Sequence, residues 1–552
     1  MCSQTRPMAC EDVLIHAQPQ FLMLSNRFRW VYCQLETLRH CLPASVRRIL
    51  AELPETLDAT YERILQEIPK SNQVHAHHLL QCLTVAVRPL HVDELAEILA
   101  VDFITSEGIP KLNEALRWED QEQAVLSACS SLIAVIEDED EDSRVVQFSH
   151  FSVKEFLTSD RLPASKIDAS RYHHILLAPA HTIMAQACLS VLLRLDPHID
   201  KAGIRDFPLA QYAGEHFGDH AEFESVLSHI LDGVDYLLDT DKSHFAVWVR
   251  IRPLLNIPDS EPQQDVIPLY YVATRGYRDL VDYLISKRPD DVNIRGAHGT
   301  PLHGALYGTH ANVAQLLLEY CADVDVRDRE NQTPLHLAAH YGFLGAARVL
   351  VERNADIAAR NILGNTPLHS TMSWWFAMSE SSKDGRLDVV KLLLERGADP
   401  DAKNDALETP LQEASYQGSV KGAQLMLEHG ANIHTRNKNG QTLLHQNLTG
   451  LTDTLNILDM ILDTMRYLLT HGADVDALDD DHATPLHVAS YHGCAKGARL
   501  LLEHGANVHL EDKKGRTPFQ VAEEGGRRNI TQLLSKHLRS QQNTRHSVRL
   551  PC

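Results

Sequence analysis

Five histidines recur in the second half of the chain, each three residues after a threonine: His303, His336, His369, His445 and His487. Imidazole nitrogens are common zinc ligands, so a metal site is one interpretation of the pattern. A zinc ion lies about 2.1 Å from each of its nitrogen ligands. The axes of packed helices lie about 8–10 Å apart, so histidines on different helices do not readily converge on one ion. Because each histidine belongs to a different copy of a repeated segment, we expect a structural role and predict neither a metal site nor a cofactor.

Other residues that could carry chemistry are no better arranged. His75, His77 and His78 provide one i,i+3 pair without an evident third ligand. The sequence contains no G-x-S-x-G, no H-E-x-x-H, no kinase-like H-R-D and no glycine-rich phosphate loop, which are patterns of nucleophilic, metal-dependent and phosphoryl-transfer catalysis. We therefore predict that the chain is not an enzyme and that a small-molecule substrate is not its partner.

The elements that position these histidines belong to an internal repeat. A Thr-Pro-Leu-His-like tetrapeptide recurs at intervals of 33, 33, 33, 43, 33, 42 and 33 residues, beginning at Ile267, Thr300, Thr333, Thr366, Thr409, Thr442, Thr484 and Thr517. The two long intervals contain insertions into the same period. Repetition at a period near 33 residues is typical of a solenoid of stacked units.

Each unit has the sequence signals of two short helices. The stretch TPLHLAAHYG, starting at Thr333, places an N-cap threonine before a proline at the first helical position and a glycine at the end. Leucine-rich stretches such as LLLERGAD, starting at Leu392, then predict a second helix that ends at a glycine. A helix pair of this size buries its apolar face only against its neighbours, so stacking is required.

This pattern resembles the ankyrin repeat, in eight units over residues 259–540, with a short disordered tail predicted at 541–552. The resemblance implies that each repeat histidine hydrogen-bonds near its threonine and ties adjacent turns together. It also implies protein binding through the turn tips and the concave face of the first helices. The candidate protein-binding residues on that face are Arg275, Tyr307, His340, Tyr341, Tyr416, Gln417, Tyr491 and His492. Packing of these tyrosines onto the next helix is the alternative.

An insertion after Thr366, reading MSWWFAMSESSKDG, adds two further candidates, Trp374 and Trp375. Aromatic side chains dominate the energetics of many interfaces. The tryptophans either anchor a partner or cover a neighbouring loop.

The preceding region has a different pattern. Amphipathic helices are predicted at Arg27–Cys41, Leu53–Pro69 and Arg88–Ala100, followed by two β-like stretches from Ser131 and Ser143. Three helices and a hairpin are the layout of a winged helix.

Stretches such as FRWVYCQLETLR and VVQFSHFSVKEFL resemble the segment that follows the nucleotide-binding core of fungal NACHT-type (STAND) NTPases with ankyrin tails. We assign residues 1–25 to an N-terminal remnant, 26–160 to the winged-helix region and 161–258 to a helical connector.

The family's phosphate loop is missing, because no Gly-Lys precedes Ser or Thr anywhere in the chain. No nucleotide site is carried over. We expect either a shortened paralogue or gene model, or a chain that works with complete family members.

Charge and hydropathy exclude further classes of partner. The net charge is −22, and the predicted wing tip, residues 137–142, reads EDEDED, so nucleic acid is not expected. The longest uncharged window, His173–Leu193, contains three histidines and a proline, which favours a buried helix over a membrane span. Ten cysteines without a C-x-x-C spacing favour free thiols in a reducing compartment, so a cytoplasmic location is expected, with the nucleus as an alternative.

We therefore expect a mainly α protein, a winged-helix and connector region followed by an ankyrin solenoid, that acts as a non-enzymatic protein-binding scaffold or receptor. The alternative is a regulatory fragment that acts with a nucleotide-binding module in trans.

Overall fold

The computed structural model describes residues 56–103, 109–129, 131–137, 144–162, 172–196, 199, 203–239, 242–251, 267–296, 298–373, 380–449 and 455–547. The chain forms two compact units, Met1–Pro262 and Gln263–Cys552. The predicted helix Arg27–Cys41, the wing tip beyond Glu137, and Trp374 and Trp375 lie outside the described residues.

The first unit is mainly helical with two small antiparallel sheets. Its helices are α1 (Leu57–Glu67), α2 (Gln73–Val85), α3 (Val92–Ile98), α4 (Gln121–Cys129), α5 (Phe151–Thr158), α6 (Leu177–Leu192), α7 (Leu209–Ala221), α8 (Val226–Leu237) and α9 (His244–Ile251). Its strands are β1 (Leu90–His91), β2 (Val101–Asp102), β3 (Lys111–Leu112), β4 (Ile133–Glu137) and β5 (Arg144–Phe148). The strand orders are β1-β5-β4 and β2-β3.

The predicted hairpin is confirmed, with Val135 opposite Val146. The predicted helix Arg88–Ala100 is wrong at its start, because β1 pairs with β5 before α3 begins at Val92. Pro89 disfavours helical geometry at the residue before it. Helix α4 was not predicted.

Helix α6 forms the centre of this unit and packs against α2, α7 and α8. Met184, Cys188 and Leu192 of α6 are buried, as predicted for the His173–Leu193 window. Among the residues that the structure describes, no helix is long and apolar enough to cross a membrane.

Of the two buried carboxylates of α3, Glu94 and Glu97, the second joins the winged-helix elements to the connector. Glu94 accepts hydrogen bonds from Arg88, and Glu97 pairs with Arg117. The backbone N–H of Leu209 also donates to Glu97 Oε2 at 2.8 Å. Because Leu209 is the first residue of α7, this bond attaches the start of α7 to α3.

The second unit consists of paired helices in which each pair packs against the next. The first helices are α10 (Pro268–Arg275), α12 (Pro301–Tyr307), α14 (Pro334–Tyr341), α16 (Pro367–Ser370), α18 (Pro410–Tyr416), α20 (Leu443–Thr449), α22 (Pro485–His492) and α24 (Pro518–Glu524). The second helices are α11 (Arg278–Lys287), α13 (Ala311–Glu319), α15 (Leu344–Glu352), α17 (Glu380–Glu395), α19 (Val420–Glu428), α21 (Leu455–Thr470), α23 (Ala495–Glu503) and α25 (Arg528–Ser547). Helix α25 continues past residue 540, where a disordered tail was predicted.

The repeat histidines join each unit to the next. In the pair Thr333 and His336, the threonine N–H donates to His336 Nδ1 at 3.2 Å. The other ring nitrogen, Nε2, lies 3.0 Å from the carbonyl oxygen of Asn365 in the following turn. Since a carbonyl only accepts, Nε2 carries the proton, and the Thr333 hydroxyl donates to Nδ1 at 2.9 Å. The same arrangement occurs at His303, His369, His445 and His487.

The turns between units are joined by a second set of hydrogen bonds. The Asn361 side chain accepts from the backbone N–H groups of Leu363 and Asn365 at 2.9 and 3.0 Å, which closes its turn. The N–H of Asp405, in the next turn, then donates to the carbonyl of Leu363 at 3.1 Å. These bonds hold the turn tips in a fixed row.

Candidate protein-binding surface

The predicted binding residues lie at the carboxyl ends of successive first helices, as the repeat mapping required. Tyr416 is the last residue of α18, and Tyr491 precedes the last residue of α22. Their exposed fractions are 44% and 62%. The two phenol rings therefore offer apolar area and a hydroxyl group to a partner.

Tyr307 and Tyr341 are half-buried and contact their own solenoid. The Tyr307 hydroxyl donates to Asp328 in the following turn, and burial together with this carboxylate raises the pKa of Tyr307. The Tyr341 ring stacks on Phe343 with a centroid distance of 5.7 Å. For these two tyrosines the structure matches the alternative interpretation, packing within the repeats.

Gln417 is also poorly placed for a partner, since it is only 8% exposed. Its amide donates to Glu413 Oε1 at 3.0 Å, one turn earlier in the same segment. The prediction that Gln417 lies on the open surface is therefore wrong. Its position directly after α18 turns the side chain back onto the helix.

The remaining candidates, Arg275, His340 and His492, are half-buried or exposed and contact neighbouring aromatic rings. Arg275 is half-buried, with its guanidinium 5.6 Å from the ring centre of Tyr277. His340 is half-buried and packs edge-on against Tyr341, while exposed His492 packs in the same way against Tyr491. Burial lowers the pKa of both histidines, that of His340 to about 4, so both rings are neutral at pH 7.

A buried arginine beneath this surface was not predicted. Arg386, in α17, donates through Nη1 to the carbonyl oxygens of Thr371 and Ser373. Among the described residues, its Nε and Nη2 atoms have no hydrogen-bond partner. Burial lowers the pKa of Arg386 to about 10, and its charge contributes to the lowered pKa of His340. No sequence signal distinguishes it, because arginine on a helix is usually exposed.

The sequence analysis expected binding at the turn tips but named none of the exposed apolar side chains there. Ile362, Leu363 and Leu407 are 60%, 61% and 45% exposed on neighbouring turns. Leu407 also has a φ of 58°, at a turn position occupied by Gly364 and Gly440 in adjacent units. An aliphatic residue in this left-handed region is strained. The sequence signal was an apolar residue where the other turns carry Gly, Asn or His.

The repeat histidines are not available as metal ligands, because both ring nitrogens of each are used in the Thr–His–carbonyl contacts described above. Within the described residues, no group of three or more His, Cys, Asp or Glu side chains could hold a metal ion.

The chain matches two ankyrin-repeat family models and one winged-helix family model. "Ankyrin repeats (3 copies)" matches residues 231–328, 269–361 and 458–546, and "Ankyrin repeats (many copies)" matches residues 374–427. "GPI inositol-deacylase, winged helix domain" matches residues 61–167.

Among curated proteins, the azaphilone pigments biosynthesis cluster protein L of Monascus ruber is 29% identical over 50% of this chain and 61% of its own length. A transient receptor potential cation channel subfamily A member 1 homologue of Caenorhabditis elegans is 27% identical over 43% of this chain and 15% of its own length. The chain thus covers less than two thirds of either relative. The crystal structure of the ankyrin repeat domain of Bcl-3 matches 49% of this chain and 98% of its own, with 26% identity and a TM-score of 0.31.

The ankyrin-repeat models match residues of the second unit's helix pairs, and the winged-helix model matches residues of the first unit. The chain carries a winged-helix domain followed by an ankyrin-repeat solenoid.

Proposed function

We propose that the chain is a non-enzymatic scaffold that binds a protein partner through the first-helix and turn-tip surface of its ankyrin repeats. Ankyrin repeats generally mediate protein–protein interaction. The observation that carries the proposal is the pair of exposed tyrosines, Tyr416 and Tyr491, at the same position of two repeats. Tyrosine is enriched in interfaces because it combines apolar area with a hydrogen-bonding group.

The turn tips extend this surface. Ile362, Leu363 and Leu407 are exposed, although their row is held rigidly by backbone hydrogen bonds between turns. A rigid apolar row loses little conformational entropy on binding. The strain at Leu407 is also consistent with a functional role, since strained backbone positions cluster at binding sites.

The test is affinity capture with the full-length chain and quantitative mass spectrometry of the retained proteins. The double variant Tyr416→Ala/Tyr491→Ala should lose a defined set of proteins that the wild type retains. Tyr320→Ala is the matched control, because Tyr320 is 41% exposed but follows the second helix α13. If both variants lose the same proteins, or neither loses any, the proposed surface is wrong.

We further propose that the winged-helix region docks onto a nucleotide-binding module of another chain. The proposal rests on the resemblance of this region to the segment next to such modules in NACHT-type proteins. It predicts that calorimetry with ATP or GTP and Mg²⁺ gives no binding heat for the chain alone. Stoichiometric binding by the chain alone would contradict both this proposal and the non-enzymatic assignment.

The proposed partners are proteins rather than nucleic acid or small molecules, given the net charge of −22. We also propose a cytoplasmic location. Among the described residues, Cys82, Cys129, Cys188 and Cys494 are buried free thiols and Cys321 is an exposed one, which suits a reducing compartment.

A further inference from the structure

The last ankyrin repeat contains a groove that the surface proposed above does not include. The groove lies between α24 and α25 and has a volume of about 590 Å³. Half-buried Phe519 contributes apolar surface to its lining, and polar Thr531, Gln532 and Ser535 line it as well.

Four cationic side chains, Arg527, Arg528, Lys536 and Arg539, also line the groove, against one carboxylate, Glu523. None of the four forms an ion pair with a carboxylate of the described residues. Arg527 is partly fixed, since its Nε donates to the carbonyl of Tyr491 at 3.1 Å. Among the described residues, no carboxylate pairs with the other three charges, so they can meet an anionic group.

The sequence also concentrates positive charge in this part of the chain. From Arg527 to Cys552 there is no Asp or Glu, although the whole chain has a net charge of −22. A cationic groove on a strongly acidic chain concentrates opposite charge locally. The long aliphatic stems of arginine and lysine also add apolar surface beside Phe519.

We propose that this groove binds an acidic peptide segment of a protein partner. Its carboxylates pair with Arg528, Lys536 and Arg539, and an apolar side chain of the peptide packs on Phe519. A short acidic peptide carries few charges. An extended polyanion, such as nucleic acid or an anionic membrane, would also approach the acidic remainder of the chain and be repelled. The charge pattern therefore favours a peptide.

The experiment measures binding of the full-length chain to a fluorescein-labelled peptide of repeating Glu-Glu-Leu by fluorescence anisotropy. The groove variant is Arg528→Gln/Lys536→Gln/Arg539→Gln. The matched control, Arg348→Gln/Lys391→Gln/Arg396→Gln, removes the same charge from exposed positions of the third and fourth repeats. All six positions are exposed, so both variants should fold, which circular dichroism melting checks.

The proposal predicts that the groove variant weakens peptide binding by at least about tenfold, because charged pairs at a contact set much of the affinity. The control should stay within about twofold of the wild type, since exposed charges far from the site are screened by salt. A peptide of repeating Gln-Gln-Leu should not bind the wild type.

Equal weakening in the two variants, or equal binding of the glutamine peptide, would overturn the proposal. So would tighter groove-dependent binding of duplex DNA or of phosphatidylserine vesicles than of the peptide. The Tyr416→Ala/Tyr491→Ala variant should bind the acidic peptide like the wild type, so failure here leaves the first-helix proposal standing.

Discussion

At the residue scale, each Thr–His pair requires a neutral imidazole. Nδ1 of His336 accepts from Thr333 while Nε2 donates to Asn365, so a second ring proton would face the Thr333 N–H. Burial is the main cause that lowers the pKa of His336 to about 4 from an ordinary value of 6.5. The unfolded chain therefore binds the proton more readily than the folded chain does.

This contribution to stability is fully present above pH 6.5 and is lost progressively as the pH falls from 6.5 to about 4. We predict that His336→Gln is less stable than the wild type at pH 7, by about 1 kcal/mol. Between pH 7 and pH 4.5, protonation linked to His336 costs the wild type stability on the order of 2 kcal/mol, which the glutamine variant does not lose, so the variant becomes the more stable of the two. Glutamine is the suitable replacement because Gln412 accepts from the Thr409 N–H at the equivalent position.

Hydrogen exchange of peptides spanning residues 330–345, at both pH values, follows this repeat separately from the winged-helix unit. A difference between wild type and variant that is the same at pH 7 and pH 4.5 would contradict the proposed role of the neutral histidine.

Leu407 provides a second test at this scale, because stability and binding should change in opposite directions. Leu407→Gly relieves the cost of a φ of 58° and should stabilise the solenoid by about 0.5–1 kcal/mol. The same change removes an exposed apolar side chain and should weaken partner capture. Gly440→Ala is the reference variant. The added Cβ would lie 2.3 Å from Asp480 Oδ1, so this substitution should destabilise the solenoid. A Leu407→Gly variant with lower stability would show that the turn is not strained.

The sequence predicted the histidine contacts but not every surface side chain. Thr–His spacing, read with the family resemblance, was sufficient because both partners belong to the repeated pattern. Gln417 contacts Glu413, an acid that no other repeat carries at that position. Tyr307 contacts Asp328, whereas Tyr491 stays exposed although Asp512 occupies the equivalent position after it. The order of helices does not determine such contacts.

At the scale of elements, a glycine controls the fit of the third repeat against the fourth. Gly342 has a φ of 76°, and a Cβ there would lie 2.7 Å from the backbone nitrogen of Arg386. Gly342→Ala should therefore destabilise by about 2–3 kcal/mol, because backbone atoms in a packed helix cannot move aside cheaply.

Gly345→Ala is the matched control, because it lies in α15 and no atom of the described residues outside this helix comes within 4 Å of the added Cβ. It should stabilise by about 0.5–1 kcal/mol through helix propensity. Urea unfolding of the full-length variants separates the two. Equal effects of the two substitutions would mean that the close approach at Gly342 does not limit packing.

The helices of the repeats were predictable because caps and glycines mark both ends of each. The start of α3 was not, since β1 forms only when β5, more than fifty residues later by sequence, supplies its partner. Strand pairing of this kind depends on tertiary contact rather than on local preference.

At the scale of the whole molecule, stacking of eight helix pairs explains why a chain without catalytic motifs can still have a specific function. The stack supplies a rigid surface whose exposed residues vary while its Thr–His and turn contacts recur. Period, spacing and caps predicted this architecture. Tyr416 and Tyr491 were already sequence candidates, but burial was needed to separate them from Tyr307 and Tyr341 and to add the exposed turn-tip leucines.

The most direct test of the central claim is a hydrogen-exchange footprint of a captured partner on the full-length chain. The account predicts slowed exchange at the ends of α18 and α22, around Tyr416 and Tyr491, and in the turns that contain Leu363 and Leu407. Protection confined to the second helices, such as α19 and α23, or to the winged-helix unit, would contradict it.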